Sequence, residues 1–226
     1  VSTYAAQVLA TTVREAAARF GDRPAVIDSS GVLTFAELNE SSLELAAGLL
    51  AAGVRVGDLV ALILPSGIDW VVVAVAVDRI GATLAGISQR LAAPERAAIV
   101  ELLAPRLVVT APELIEGLPL RTVVATITAG SRGAELSATG RSIDHSPDAP
   151  DEVLNDPNRA AVVCCTSGTT GRPKGALFRV AQLRAVAEID LGVDFEERWN
   201  GGAPLLASTE FAHVGMVAKF PWYFRL

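Results

Sequence analysis

Cysteine is almost missing from the 226 residues: Cys164 and Cys165 are the only two, and they are adjacent. A neighbouring pair builds neither the disulfide framework of a small secreted domain nor a paired zinc site, so a reduced, cytosolic setting is expected. Lysine is as scarce. Lys174 and Lys219 are the only two among 19 Lys and Arg, which face 25 Asp and Glu for a formal charge of −6. Nucleic-acid affinity is carried mainly by Lys and Arg neutralising phosphates, so this balance argues against a general polyanion binder. Histidine also occurs twice, at His145 and His213. That leaves no set of convergent zinc ligands and no basis for a Ser-His-Asp assembly, and no metal-ligating residue is assigned. No Gly-x-Gly occurs either, which excludes the dinucleotide-binding fingerprint.

Long apolar runs are lacking despite a mean hydropathy of +0.41. The most apolar stretch, Trp70-Val-Val-Val-Ala-Val-Ala-Val77, is closed by Asp69 and by Asp78-Arg79. It is less than half of the roughly 20 residues that a spanning helix needs. The start, Val1-Ser-Thr-Tyr-Ala, has neither the basic flank nor the apolar stretch of a signal peptide. No transmembrane segment is expected.

What is present is Ala and Val in quantity, within a hydrophobic content of 51%. Such a composition suits buried parallel strands and the helices that cover them. A first helix is expected over residues 5–19, then a hairpin from 24–28 and 32–34. Thr34-Phe-Ala-Glu37 has capping-box spacing and opens a helix that Gly53 ends. Strands are expected at 59–64, 82–87, 106–110 and 121–127, separated by helices at 66–81 and 94–103. Thr110-Ala-Pro-Glu113 repeats the capping-box spacing before a short helix. Short apolar strands alternating with single helices predict an α/β fold, with parallel sheets flanked by helices. Gly, Ser and Pro then accumulate. The expected division is a first α/β lobe at 1–128, an irregular connection at 129–159, and the start of a second α/β lobe at 160–226.

A buried strand at 160–165 runs into Thr166-Ser-Gly-Thr-Thr-Gly-Arg-Pro-Lys-Gly175. Glycines let backbone N–H groups turn toward a ligand and form an anion-binding nest. The hydroxyls add donors, Lys174 adds a mobile positive charge, and a helix expected over about 176–189 would present its positive end. These parts suit a polyphosphate; the alternative is a solvated Gly/Thr-rich turn. The segment is not a Walker A loop, which requires Gly-Lys-Ser/Thr after a four-residue gap.

These residues resemble the signature of the acyl-adenylate-forming enzymes, which comprise acyl-CoA synthetases, adenylation domains and luciferases. Their pattern, Tyr/Phe-Thr-Ser-Gly-Thr/Ser-Thr-Gly-x-Pro-Lys-Gly, is matched from Thr166 to Gly175. Leu33-Thr-Phe-Ala-Glu-Leu38, Gly53-Val-Arg-Val-Gly-Asp58, Pro65-Ser-Gly-Ile-Asp-Trp70, Arg79-Ile-Gly-Ala82 and Pro105-Arg-Leu-Val-Val-Thr110 resemble the family's opening segments, in its order. The resemblance implies a two-step ligase: a hydrophobic carboxylic acid and ATP give an acyl-AMP, and the thiol of CoA then takes the acyl group. It implies that Thr166, Ser167, Gly168, Thr169, Thr170, Gly171 and Lys174 hold the nucleotide phosphates, that Lys174 is catalytic, and that Mg2+ accompanies ATP. A carrier-protein thiol as acceptor is an alternative, and so is a shortened, non-catalytic module binding a nucleotide or acyl group. The family's later motifs do not follow, so the chain reads as the N-terminal portion of such a ligase and is expected not to turn over alone.

Several residues depart from the pattern. Cys165 stands where an aromatic precedes Thr-Ser-Gly, and residues 176–180 lack a histidine that often follows Lys-Gly. The family element Pro-Leu-Phe-His-x-x-Gly has a differently spaced counterpart in Pro204-Leu205 and Phe211-Ala-His-Val-Gly215. Phe211, His213 and Gly215 are therefore the candidate substrate-pocket residues, with a structural role for His213 as the alternative. His145 is expected on the surface, and Cys164-Cys165 as apolar filling at a strand end. The aromatic run 220–225 reads as a core helix end or as the lining of a substrate tunnel.

Overall fold

The first helix, α1 (Leu9–Phe20), turns Leu9, Val13 and Ala16 inward at helical spacing. The computed structural model describes residues 9–134, 147–167, 173–192, 198–199 and 204–225. The strands β1 (Pro24–Asp28) and β2 (Gly31–Thr34) form the expected antiparallel hairpin. Helix α2 (Phe35–Ala51) opens on a complete capping box. Thr34 Oγ1 accepts the Glu37 N–H at 3.2 Å, and the Thr34 N–H donates to Glu37 Oε2 at 2.8 Å. Thr34→Ala should cost about 1 kcal/mol in urea denaturation, the usual loss for a removed N-cap. A change below a few tenths would mean that the cap contributes nothing to the fold.

Next come β3 (Leu59–Ile63), α3 (Ile68–Arg79), β4 (Thr83–Gly86), α4 (Ala93–Leu103), β5 (Leu107–Thr110) and β6 (Val124–Thr126). Helix α3 is buried almost all round, which is why its valines show no amphipathic pattern. The second capping box does not form. Thr110 ends β5 with its hydroxyl fully buried and donating across to the Ile63 carbonyl at 3.0 Å. A short 3-10 turn, Pro112–Leu114, follows instead, with Ala111 in the capping place.

A short helix α5 (Asp151–Leu154) leads to β7 (Ala160–Ser167). The next element corrects the sequence reading. Residues 173–179 are a strand, β8 (Pro173–Arg179), antiparallel to β7; helix α6 (Val180–Leu191) starts only after it. The Gln182 side chain accepts the Arg179 N–H at 2.8 Å, which fixes the helix start. Two four-residue helices close the described chain, α7 (Val214–Val217) and α8 (Phe220–Tyr223).

The six-stranded sheet has the order β6-β5-β3-β4-β7-β8, parallel except for β8. Because β7 pairs directly with β4, the segment expected to open a second lobe joins the same sheet as the first. One sheet face carries Val60, Leu62, Leu84, Val109 and Val162 into the main core with α1, α2 and α3. The opposite face, with Ala61, Ile63, Ala85, Val108 and Val163, packs on Ile99 and Val100 of α4. Successive residues of each strand thus bury on both faces, as parallel sheets require.

Candidate functional site

Parallel sheets place ligands beyond the carboxyl ends of their strands. At this edge the chain leaves β3 through Pro65-Ser66, β4 through Ile87-Ser88 and β7 through the Gly/Thr-rich segment. Thr166 and Ser167 are the last residues of β7, and their register partners on β8 are Lys174 and Pro173. Gly168, Thr169, Thr170 and Gly171 lie outside the described residues. Lys174 is exposed at the start of β8.

The helix expected behind this segment is at the other end of the hairpin. Helix α6 begins where the Val180 N–H meets the Arg159 carbonyl, just before β7 starts. An eight-residue strand separates the two ends by about 26 Å. The helix dipole falls off within one turn, so it adds nothing to an anion at the β7–β8 turn. Among the described residues of this segment, Lys174 is the one that carries positive charge. In the sequence, Ala176 and Leu177 run without a break into the apolar residues after Val180 and so resemble one helix. Leu177 pairs with Val163 and Phe178 with Val162, an alternation that belongs to an edge strand.

The pocket candidates divide. Phe211 is buried edge-on against Trp70, with ring centroids 5.7 Å apart, and against Phe220 at 5.0 Å. His213 is exposed and caps α7, its Nδ1 accepting the Gly215 N–H at 3.0 Å. Nδ1 as acceptor leaves the ring proton on Nε2. Gly215 is exposed as well. Phe211 and Gly215 keep the Phe-to-Gly spacing of the family element, so Ala212 stands where that element has its histidine, one place before His213. Ala212 rests on the carboxyl end of β4: a β-carbon built on Gly86 would lie 2.8 Å from Ala212 Cα. The segment therefore lies over the same edge as the β7–β8 turn, above the strand next to β7.

Other singled-out residues resolve plainly. Cys164 is buried and Cys165 half-buried; burial pushes the Cys164 thiol up to about 12, as for inert filling. Phe220, Trp222 and Phe224 are buried, which is the core reading of the aromatic run. His145 lies outside the described residues. Among the described residues no group of three or more His, Cys, Asp or Glu could hold a metal ion, and no helix is long and apolar enough to cross a membrane.

A cleft of about 130 Å³ opens on the far half of the same edge, beyond β3, β5 and β6. Asp28, Ser66, Asp69 and Glu113 are among its walls. Burial raises the Asp28 carboxyl, but N–H donors from Ile68 and Ser30 and the Ser30 hydroxyl outweigh it and hold the group below its ordinary value. These bonds tie the β1–β2 hairpin to the start of α3. Gly67 is needed there, since a β-carbon would lie 2.5 Å from Asp28 Oδ2.

A sequence model described as AMP-binding enzyme matches residues 13–223. The chain belongs to the AMP-binding enzyme family. It is 36% identical over 171 residues to the probable CoA ligase CCL9 of Humulus lupulus, covering 72% of this chain and 32% of that protein. It is 31% identical over 171 residues to the nonribosomal peptide synthetase fmqA of Aspergillus fumigatus, covering 73% of this chain and 4% of that protein. This member of the AMP-binding family thus spans about a third of the CoA ligase relative's length. Among solved structures, it resembles the O-succinylbenzoate coenzyme A synthetase MenE of Bacillus subtilis in complex with AMP. The TM-score is 0.73 at 22% identity, over 94% of this chain and 52% of that one. The shared architecture is the expected α/β fold, with mainly parallel strands flanked by helices.

Proposed function

We propose that the protein bearing this chain activates a hydrophobic carboxylic acid with ATP and passes the acyl group to CoA. The observation that carries this reading is the Thr166-to-Gly175 signature, beginning at the carboxyl end of a central-sheet strand with Lys174 opposite Thr166. In the first step a carboxylate oxygen attacks the α-phosphorus of ATP. The bond to the bridging oxygen breaks and pyrophosphate leaves with that electron pair. In the second, the CoA sulfur attacks the acyl carbon and AMP departs. The work of this segment is to hold the β- and γ-phosphates, and Lys174 offsets the charge that collects on the leaving pyrophosphate. Magnesium would arrive on the nucleotide, and no step is assigned to it.

In the intact protein, Lys174→Ala should slow ATP–pyrophosphate exchange by about 100-fold, the usual loss when one charge-stabilising donor is removed. The urea midpoint should stay unchanged, because Lys174 is exposed. Exchange at the wild-type rate would remove the lysine from the mechanism. A carrier-protein thiol is the second reading, favoured by the likeness to a nonribosomal peptide synthetase. Product analysis with CoA present separates the two: acyl-CoA supports the first, and acyl-AMP that builds up without transfer supports the second.

A further inference from the structure

Residues 210–213 cross the carboxyl ends of β3 and β4 as a strap with few anchors. The Phe211 N–H donates to Ser66 Oγ at 2.9 Å, just past β3. Past β4, the Ser88 hydroxyl donates to Glu210 Oε2 at 2.8 Å and the Gln89 N–H to Glu210 Oε1 at 3.2 Å. Between these anchors Ala212 presses on Gly86, where no side chain fits. Upstream, residues 204–209 are all exposed, including Leu205 and Leu206, so packing does not hold that end. Downstream, Phe211 is locked among Trp70 and Phe220. Glu210 is therefore the hinge point between a loose approach and a fixed aromatic anchor. Both of its carboxylate oxygens are spent on the turn that follows β4.

We infer that Glu210 is a positioning residue for the carboxylic-acid pocket: its grip on Ser88 and Gln89 sets where the strap bearing Phe211 and His213 lies over the sheet edge. The inference rests on the adenylation reading above. Loss of the carboxylate frees the strap's upstream end, so the acid meets a wall whose position fluctuates, while the nucleotide segment beyond β7 is unaffected. A glutamine keeps both contacts, because its oxygen still accepts the Gln89 N–H and its amide donates to the Ser88 oxygen.

The test compares Glu210→Ala with Glu210→Gln in the intact protein. Amide hydrogen exchange at residues 211–217 should speed up at least tenfold in Glu210→Ala and stay within threefold of wild type in Glu210→Gln. In ATP–pyrophosphate exchange, Glu210→Ala should raise KM for the acid about tenfold, leaving KM for ATP within twofold. Glu210→Gln should restore the acid KM. Unchanged amide exchange in Glu210→Ala overturns the strap whatever the kinetics show. Faster amide exchange with an unchanged acid KM overturns the positioning role, as does an equal rise in both KM values. A wild-type protein that exchanges pyrophosphate with no acid would sink the adenylation reading instead, and amide exchange would still decide whether Glu210 holds the strap.

Discussion

Arg79→Ala should cost about 3–5 kcal/mol of folding stability, because it breaks a buried charge network from one side. The Arg79 side chain is 1% exposed and every nitrogen of its fork is engaged. Nε donates to Ser42 Oγ at 2.9 Å, one terminal nitrogen to Asp148 Oδ1 at 3.0 Å, and the other to the side-chain oxygen of Asn39 at 2.5 Å. Burial pulls the guanidinium below its ordinary value, and the Asp148 carboxylate opposes that pull. The group stays charged, as arginine does in proteins. Removing it takes from Asp148 its 3.0 Å buried partner, with the 3.6 Å contact to Arg14 the longer of the two ion pairs, and leaves a void between α2 and α3. Arg79→Lys should lose about half as much: it keeps the charge but not the planar fork that reaches three partners at once. Equilibrium urea denaturation measures both, and a loss under about 1 kcal/mol for alanine would mean that the network is dispensable.

The network also explains how the irregular connection is held. The Ala149 N–H donates to the Arg79 carbonyl at 2.7 Å, next to the ion pair with Asp148. The neighbouring Asp78 takes the Ala10 N–H at 2.8 Å and an ion pair from Arg159 at 2.7 Å. The end of α3 thus fastens α1, α2 and the last part of the connection, at Asp148-Ala149 and Arg159, that leads to β7. Strand β7 is then aligned on β4, and its last residues, Thr166 and Ser167, lie at the carboxyl edge of the sheet.

The sequence marks Asp78-Arg79 as the end of a helix, and that is where α3 ends. It does not show that Arg79 is buried and Asp78 half-buried, because their partners, Ser42, Asn39, Asp148 and Arg159, are distant in the chain. Local periodicity and capping make α2 legible, charged ends mark α3, Pro94 marks the start of α4, and the succession of strands along the chain can be read, though not their order in the sheet. The same local rules misled at Thr110, where a hydroxyl satisfied by a neighbouring strand does not cap a helix. They misled again at Pro173–Arg179, where the pairing with β7 overrides helix propensity. The Thr166–Gly175 segment stands out because its Gly, Thr and Lys content suits an anion-holding turn, and its proposed role at the phosphates rests on that composition and on the family resemblance. Glu210 does not stand out. A lone carboxylate before a phenylalanine carries no local signal, and its partners Ser88 and Gln89 lie on another strand's exit.

Trp70→Ala should be of the same size as Arg79→Ala, about 3–5 kcal/mol, for a different reason. Trp70 is 1% exposed and fixes one end of a continuous aromatic chain. Its ring lies 5.4 Å from Phe220, which stacks on Phe224 at 6.0 Å, and Phe224 meets Phe35 edge-on at 6.0 Å. Phe35 continues to Phe20 at 5.4 Å, and Phe20 to Trp199 at 5.9 Å. Alanine would open a cavity at the point where α3 meets α8 and the strap, and the rings on either side cannot collapse together without moving Phe211. The indole Nε1 is buried without a hydrogen-bond partner, which is a cost the folded state already bears. Trp70→Phe removes that unsatisfied donor while keeping an aromatic face against Phe211 and Phe220. It should therefore stay within about 1 kcal/mol of wild type, well short of the usual loss for a shrunken core residue. Urea denaturation of the two variants separates packing from polarity. If phenylalanine costs as much as alanine, the indole N–H has a partner that matters, and the aromatic chain is not what anchors the strap.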